Sequence, residues 1–174
     1  FENTGFHVLS SDEIVRDLYE KDAALHSLLR TRYGDSVFDD RGAIKRLAIA
    51  ERVFTDRQEL DWIESVLHPR VGEVWKKALA DKPHSLHAIE IPLLFEKKLE
   101  IHFDYTLTVF CNKEYQLKRL QHRGWTFSQA EQRISRQLPL SEKAVRASFV
   151  ISNDGTRSFL KEQLSLLMHK LNLR

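Results

Sequence analysis

Several features that would mark a specialised protein are scarce or missing in this 174-residue sequence. Its single cysteine, Cys111, excludes an internal disulfide and a thiolate zinc cluster, and favours a reducing compartment such as the cytoplasm. No stretch approaches the roughly 20 apolar residues that a membrane-spanning helix needs, and there is no signal-peptide pattern. An excess of one charge is also missing, because 27 Lys and Arg face 25 Asp and Glu. This balance argues against nucleic-acid binding, so any anion site must be local.

What the sequence does contain is typical of one globular domain. Hydrophobic residues make up 42% of it and charged residues 30%. The first residues, Phe1 to Gly5, lack an initiator methionine and look like the end of a helix followed by a strand. We therefore expect the sequence to begin within a secondary-structure element.

Apolar runs and helical spacing alternate along the chain. Apolar runs of strand length lie at residues 6–9, 86–94, 105–111 and 149–151. Helical spacing covers residues 12–32, 43–79, 113–123, 128–138 and 158–173. This alternation predicts an α/β fold with a parallel sheet, in which ligands bind at the carboxyl ends of the strands.

Local patterns refine these boundaries. Ser10 with Glu13, and Ser128 with Glu131, have the spacing of a capping box, which predicts two helix starts. Pro69 predicts a break or kink in the second helical segment, because proline lacks the amide proton that a helix interior needs.

Two carboxylates at predicted strand ends are candidates for chemistry. Asp12 follows the first strand, where it could accept a proton from a hydroxyl that attacks a phosphoryl group. The alternative is that it only stabilises the start of a helix. Glu90 interrupts an apolar strand, so it either faces a polar crevice, where it could hold a magnesium-bound water, or pairs with a neighbouring helix.

Six basic residues fall within nineteen positions after the third strand: Lys118, Arg119, His122, Arg123, Arg133 and Arg136. The first two arginines are four apart on one predicted helix, and the last two are three apart on the next, so each pair could converge on one polyanion. Phosphoryl transfer needs such groups, because its catalysis consists mostly of positioning and neutralising negative charge. The alternative is a solvated surface on which Glu114 or Glu131 pairs some of these cations.

Two further features are open to simpler interpretations. His68 precedes a proline, where a histidine usually serves packing, and the eight histidines lack the spacing of a zinc site. Asn153-Asp154-Gly155 follows the last strand and could contact an adenine, although the same tripeptide is a common turn.

Taken in order, these segments resemble the dephospho-coenzyme A kinase family over essentially the whole sequence. The stretch around Asp12 is similar to the family's second strand and to the turn that carries its presumed catalytic base. The most recognisable match is Ile91-Pro92-Leu93-Leu94-Phe95-Glu96, which resembles the family's central motif. Further matches in family order are Glu51-Arg52-Val53-Phe54, Leu67-His68-Pro69, Gln116-Leu117-Lys118-Arg119-Leu120, Gln137-Leu138-Pro139 and Ile151-Ser152-Asn153-Asp154-Gly155.

The resemblance implies a P-loop kinase, with a three-layer α/β fold in a single domain of residues 1–174. The core would comprise residues 1–20, 85–118 and 148–174, with a helical acceptor-binding insertion at 21–84 and a helical lid at 119–147. The implied reaction transfers the γ-phosphoryl group of ATP, with Mg²⁺, to the ribose 3′-hydroxyl of dephospho-coenzyme A, the last step of coenzyme A biosynthesis. The expectation is a cytoplasmic enzyme, monomeric or weakly homo-oligomeric, with no nucleic-acid or membrane partner.

The resemblance also implies roles for individual residues. Asp12 would activate the hydroxyl, and Arg119 would neutralise the transferring phosphates. Other ATP-binding residues would be Arg123, Arg133 and Arg136, inferred from charge and spacing, with Asn153 and Gly155 beside the adenine. The acceptor would be lined by Arg46, His68, Pro92, Leu93 and Phe95. No residue is expected to bind the metal directly, and Glu90 is a candidate for holding a water bound to it.

The sequence departs from the family pattern in two places. Ser10 replaces the first acid of the family's Asp-Ala-Asp turn, which leaves Asp12 to act alone or with Glu90. The phosphate-binding motif Gly-x-x-x-x-Gly-Lys-Ser/Thr occurs nowhere in the sequence. We expect about 20 preceding residues to supply it in the natural protein, and residues 1–174 alone to be inactive. The open alternatives are a coenzyme A-binding homologue without catalysis and another small-molecule P-loop kinase.

Overall fold

A computed structural model of the protein describes residue 1 and residues 4–173. The described chain divides into two compact units, a first unit of residues 1–92 and a second unit of residues 93–174. Each unit contains one pair of parallel strands with helices. The predicted α/β class with parallel strands is therefore confirmed.

The first unit is built mainly from helices. Its elements are β1 (His7–Ser10), α1 (Ser11–Lys21), α2 (Ala23–Tyr33), a 3₁₀ turn (Gly34–Val37), α3 (Arg46–Thr55), α4 (Arg57–Asp81) and β2 (His87–Glu90). Strands β1 and β2 pair in parallel, from His7 opposite His87 to Ser10 opposite Glu90. Both strands therefore end at the same edge, with Ser10 beside Glu90.

The second unit alternates strands and helices. Its elements are a 3₁₀ turn (Glu100–His102), β3 (Leu107–Phe110), α5 (Lys113–His122), α6 (Phe127–Ser135), α7 (Leu140–Arg146), β4 (Phe149–Ser152) and α8 (Arg157–Lys170). Strands β3 and β4 are parallel, from Leu107 opposite Phe149 to Phe110 opposite Ser152. Helix α7 lies outside the segments with helical spacing but within residues 119–147, the predicted helical lid.

The first unit's helices pack around an apolar core. Its buried members come from α2, the 3₁₀ turn and the residue directly after it, α3 and α4: Leu25, Leu29, Val37, Phe38, Ile49 and Ile63. Leu25 and Leu29 are four apart, so they lie on one face of α2 and are removed from water together. This burial is the main favourable contribution to the packing of the four-element cluster.

Two predicted helices are each divided by an aspartate. Asp22 has an extended backbone, and its side chain accepts a hydrogen bond from the Leu25 N–H, so it ends α1 and caps α2. Asp56 similarly caps α4 by accepting from the N–H groups of Gln58 and Glu59. The prediction of one helix over 12–32 was wrong because helical spacing of apolar residues continues across Asp22, although its carboxylate competes for backbone N–H groups.

A break or a kink was predicted at Pro69. The break was wrong, since α4 continues through this residue, and the kink stays a prediction. The helix start predicted at Ser10 is confirmed, but neither predicted capping box forms. Ser10 is the N-cap of α1 but makes no side-chain capping hydrogen bond. The capping box of α6 is formed by Thr126 and Gln129, two residues earlier than the predicted pair, and the helix ends at Ser135 rather than near 138. Alternative boxes two residues apart have the same sequence spacing, so local pattern could not choose between them.

In the described part of the chain, no helix is both long enough and apolar enough to cross a membrane.

Candidate functional site

The first unit gathers polar side chains where its two strands end. Register places Ser10 beside Glu90, and Ser11, the first residue of α1, donates a hydrogen bond from Oγ to the Glu90 carbonyl at 2.8 Å. Asp12 follows in the first turn of α1, and the side chains of Asp12 and Glu90 are both exposed. The structure therefore brings the two sequence-predicted carboxylates to one accessible edge of the first unit.

The residues predicted to line the acceptor are spread along the chain. Arg46 begins α3 and is exposed, and its positive charge opposes the burial that raises the pKa of Tyr19 to about 12. His68 lies on the exposed side of α4, and Pro92 is exposed at the end of the first unit. The other two predicted residues, Leu93 and Phe95, belong to the second unit, where Leu93 is half-buried and Phe95 is buried.

The second unit contains an open pocket of about 580 Å³, here called the arginine pocket. It is lined by residues at the end of β3, by α5, by the last turn of α6 and by the chain leading into α7. Arg119, Arg123 and Arg133 all contribute to the lining. The fourth predicted arginine, Arg136, is the C-cap residue of α6 and is not among the lining residues.

The three arginines of the arginine pocket are available to pair with an anionic ligand. No ion pair joins Arg119, Arg123 or Arg133 to a carboxylate within residues 4–173. The two acids that could have paired the six cations contact lysines: Lys113 lies 2.8 Å from Glu131, and Lys118 lies 2.6 Å from Glu114. The alternative of a cation paired on the surface therefore holds for Lys118, one of the six. Three guanidinium groups without carboxylate partners give the pocket the character of a polyanion site.

Arg119 connects the arginine pocket to the turn that follows β4. Its Nη2 donates to the Asn153 carbonyl at 2.7 Å, and its Nη1 donates to Cys111 Sγ at 3.4 Å. Cys111 lines the pocket, and burial raises the pKa of its thiol, with a smaller opposing effect from the Arg119 charge. The guanidinium is thus held in a defined place, and the raised pKa keeps the thiol protonated.

The turn after β4 is fixed by several hydrogen bonds. The Asn153 N–H donates to the Phe110 carbonyl at 2.7 Å, and Asp154 accepts from the Asn112 N–H at 2.8 Å. A Cβ added at Gly155 would lie 2.9 Å from Cδ1 of Phe159, so only glycine fits there without a shift. This turn is therefore preorganised at the carboxyl ends of β3 and β4.

Sequence reasoning missed two polar residues that shape the second unit. The side-chain amide of Gln163 accepts from the Ser152 N–H at 2.8 Å and donates to the Ser152 carbonyl at 2.9 Å, so it holds the end of β4. Lys143 is buried and pairs with Glu96 at 2.8 Å. A lysine in a segment without helical spacing carries no pattern from which burial could be predicted.

The described residues contain no group of three or more His, Cys, Asp or Glu side chains that could hold a metal ion. The two carboxylates that could take part in metal binding are those of Asp12 and Glu90, which lie at one edge of the first unit. Mg²⁺ in nucleotide enzymes keeps several waters and binds one or two carboxylates with the substrate phosphates. Two carboxylates at a strand edge are compatible with that mode of binding and do not form a site made only of protein ligands.

Comparison with known proteins gives a consistent result. A family model described as dephospho-CoA kinase matches residues 1–158. A dephospho-CoA kinase from Synechocystis sp. is 35% identical over 164 residues, which cover 93% of this chain and 82% of that protein. One from Prochlorococcus marinus is 37% identical over 164 residues, which cover 91% of this chain and 80% of that protein.

Two solved structures share the fold of this chain. The crystal structure of TT1252 from Thermus thermophilus superimposes with a TM-score of 0.80 at 30% identity, covering 98% of this chain and 87% of that one. A dephospho-CoA kinase from Campylobacter jejuni has the same fold, with a TM-score of 0.66 at 23% identity over 97% of this chain and 86% of that one.

Proposed function

The chain belongs to the dephospho-CoA kinase family, and from this premise we propose the reaction and the residues that perform it. As a member of this family the protein is an ATP-using kinase. The proposed reaction transfers the γ-phosphoryl group of ATP to the ribose 3′-hydroxyl of dephospho-CoA and forms coenzyme A and ADP. The observation that carries the proposal is the arginine pocket beside the end of β3, where three arginines have no carboxylate partner among residues 4–173.

The arginine pocket suits the phosphates of ATP in size and charge. Its volume of about 580 Å³ falls within the range of small-molecule sites, which is about 300–1,000 Å³. Arg119, Arg123 and Arg133 offer planar donors that match phosphate oxygens in pairs. Phosphoryl transfer depends on neutralising charge that spreads over these oxygens, which is the role we propose for the three arginines, with Arg119 foremost.

We assign the turn containing Asn153 and Gly155 to the adenine. The hydrogen bond from Arg119 to the Asn153 carbonyl supports this assignment, because it links the proposed base-binding turn to the proposed phosphate-binding group within one unit. Arg136 stays a prediction as an ATP-binding residue, since it does not line the pocket.

Asp12 is the proposed general base. Its carboxylate is exposed at the strand edge, where a substrate hydroxyl can reach it. As the 3′-oxygen forms its bond to the γ-phosphorus, the bond from that phosphorus to the bridging oxygen of ADP breaks, and the hydroxyl proton passes to Asp12. Ser10, which replaces an acid of the family pattern, leaves this role to Asp12.

The acceptor side is proposed to involve Arg46, His68, Pro92, Leu93 and Phe95. Exposure of the first three supports direct contact with substrate. Phe95 is buried, and the Arg146 guanidinium lies 5.0 Å from the centre of its ring. We therefore propose that Phe95 shapes the acceptor site by supporting neighbouring residues.

Mg²⁺ is proposed as the metal of the reaction, with Glu90 holding one of its waters. When bound, the ion neutralises charge on the β- and γ-phosphates. A cytoplasmic location, a monomeric or weakly associated state, and the division into core, insertion and lid also remain predictions.

A coupled ADP-release assay tests the proposed function directly. Protein expressed from the complete reading frame is supplied with ATP, Mg²⁺ and dephospho-CoA, adenosine or shikimate in parallel. Of the three acceptors, only dephospho-CoA should give rapid ADP release. ³¹P NMR of the product should show the new phosphate at the ribose 3′ position. Turnover of adenosine or shikimate in preference would identify another small-molecule kinase. Binding of dephospho-CoA without ADP release would identify a homologue that lacks catalysis.

A further inference from the structure

The second unit buries a charged pair that the proposed reaction does not use. Lys143 is only 7% exposed, and its Nζ lies 2.8 Å from Oε1 of Glu96, whose side chain is also shielded from water. Burying two charges costs free energy that an apolar pair of the same volume avoids, so such a pair is weak support for stability alone. The pair has a second effect, which is to hold part of the backbone in place.

The pair fastens the connection between α6 and α7, residues 136–139. Oε1 of Glu96 accepts the Leu138 N–H at 2.9 Å, and Lys143 Nζ donates to Oε1 of Gln137 at 3.0 Å. From β3, the Thr108 hydroxyl donates to the Lys143 carbonyl at 3.2 Å. Burial raises the pKa of Glu96, but the hydrogen bonds from Lys143 and Leu138 lower it by more, so the carboxylate stays ionised.

The same connection forms part of the arginine pocket. Gln137, Leu138 and Pro139 line it beside Arg133, which lies in the last turn of α6. Because α6 ends at Ser135, the chain has only two residues between that helix and the fastened Leu138 N–H. A shift of the connection therefore moves Arg133 relative to the groups on α5.

We propose that Glu96 and Lys143 are positioning residues that set the place of Arg133 in the arginine pocket, and thereby the affinity for the triphosphate of ATP. Neither residue contacts substrate in this proposal. It rests on the proposed function of the pocket, and it adds two determinants of nucleotide affinity that act through a third residue.

The first test is steady-state kinetics of Glu96→Gln and Lys143→Met in protein expressed from the complete reading frame. Each change should raise KM for ATP by about tenfold while kcat and KM for dephospho-CoA stay within about twofold, because only binding through Arg133 is altered. Glu114→Gln is the matched control, since it removes a carboxylate from an exposed lysine pair. An unchanged KM for ATP, or an equal rise in both KM values, overturns the proposal.

A double-mutant cycle with Arg133→Met separates positioning from a general loss of structure. If Glu96 acts through Arg133, adding Glu96→Gln to Arg133→Met should change KM for ATP by less than about twofold. The same factor in both backgrounds would show that Glu96 acts independently of Arg133 and would overturn the proposal.

Thr108→Val replaces the charge variants if they do not fold. It removes the hydrogen bond from the Thr108 hydroxyl to the Lys143 carbonyl and leaves no buried charge unpaired. We expect KM for ATP to rise about two- to threefold, and the rise to vanish in the Arg133→Met background. No rise overturns the proposal.

If the wild-type protein fails to phosphorylate dephospho-CoA, the proposed reaction is wrong, and the same cycle is measured as the Kd of ATP by calorimetry. In that measurement, a rise in the Kd of ATP that vanishes in the Arg133→Met background supports the proposal. Absence of ATP binding overturns both the proposed function of the arginine pocket and the positioning role of Glu96 and Lys143.

Discussion

The two units of this molecule have different interiors. The first unit is organised around an apolar cluster on α2, α3 and α4, of which Leu25 and Leu29 are fully buried. In the second unit the interior is partly polar, and the buried polar or charged residues of the described chain, Thr106, Thr108 and Lys143, all lie there. Apolar contacts are non-directional, whereas hydrogen bonds fix particular atoms at particular distances.

Two arginines of the first unit and the three of the arginine pocket differ in their partners. In the first unit Arg32 pairs with Glu59 at 2.7 Å, and Arg70 pairs with Asp22 at 3.2 Å. The three arginines of the arginine pocket have no carboxylate partner in residues 4–173. Arg32 and Arg70 thus connect elements of the first unit, while the three arginines of the arginine pocket are available to bind a ligand. Arg146 shows that the second unit also contains a paired arginine, since it contacts Glu100.

The largest effect is expected at Asp12, the proposed general base in the first unit. Asp12→Asn should lower kcat by about 10²- to 10⁴-fold, because an amide cannot accept the hydroxyl proton. Asp17→Asn, on the same helix and paired with the exposed Lys21, is the control and should leave kcat unchanged. The measurement is ADP release at saturating ATP and dephospho-CoA. Full activity of Asp12→Asn would exclude the assigned base.

Removal of an apolar core residue tests the interior of the first unit. Leu25→Ala should lower the free energy of unfolding by about 2–5 kcal/mol, because it leaves a cavity in a fully buried site. Leu47→Ala, at a residue that is 80% exposed on α3, should change it by less than about 0.5 kcal/mol. Urea denaturation followed by circular dichroism provides the comparison. Equal losses would contradict the assignment of the core.

Acid should weaken the interior of the second unit through Glu96. Its pKa is lower in the folded state than the ordinary value of about 4.3, so its stabilising contribution is complete above that value and disappears as the pH falls through the folded pKa. The difference in unfolding free energy between wild type and Glu96→Gln should therefore shrink from pH 7 to acid. A difference that does not depend on pH would show that the charge of Glu96 contributes nothing.

The smallest effect concerns the start of α6. Thr126→Ala should cost about 1 kcal/mol, because it removes the side-chain acceptor of the capping box. Ser128→Ala, at the position that the sequence pattern favoured, should cost less than about 0.5 kcal/mol. Thermal unfolding of the two variants decides between the two helix starts, and the reverse order would contradict the observed cap.

Much of the fold could be predicted because its elements carry strong periodic patterns. The four strands fall within or beside the apolar runs, and α5 and α8 lie where helical spacing placed them. The breaks at Asp22 and Asp56 could not be predicted, since each depends on a side chain that competes for backbone N–H groups within a continuous helical pattern. For this reason element type was more predictable than element boundary.

The candidate site could be predicted only in part. Charge and spacing selected Arg119, Arg123 and Arg133, because cations on neighbouring helix faces leave a visible pattern. The same reasoning selected Arg136, which lies outside the pocket lining, because spacing alone does not give the direction of a side chain after the last helical turn. The burial of Lys143 depends on its contacts with Thr108 and Glu96, which precede it by 35 and 47 positions in the sequence. Local sequence patterns cannot predict contacts over such separations.

The most direct test of the arginine pocket is the steady-state kinetics of Arg119→Met, with ATP and dephospho-CoA varied separately and Arg136→Met measured alongside. Arg119→Met should lower kcat/KM for ATP by about 10²- to 10³-fold and leave KM for dephospho-CoA within about twofold, because it removes a donor to the transferring phosphates. Arg136→Met should have a much smaller effect. An unchanged kcat/KM for ATP in Arg119→Met would contradict the assignment of the arginine pocket to the nucleotide.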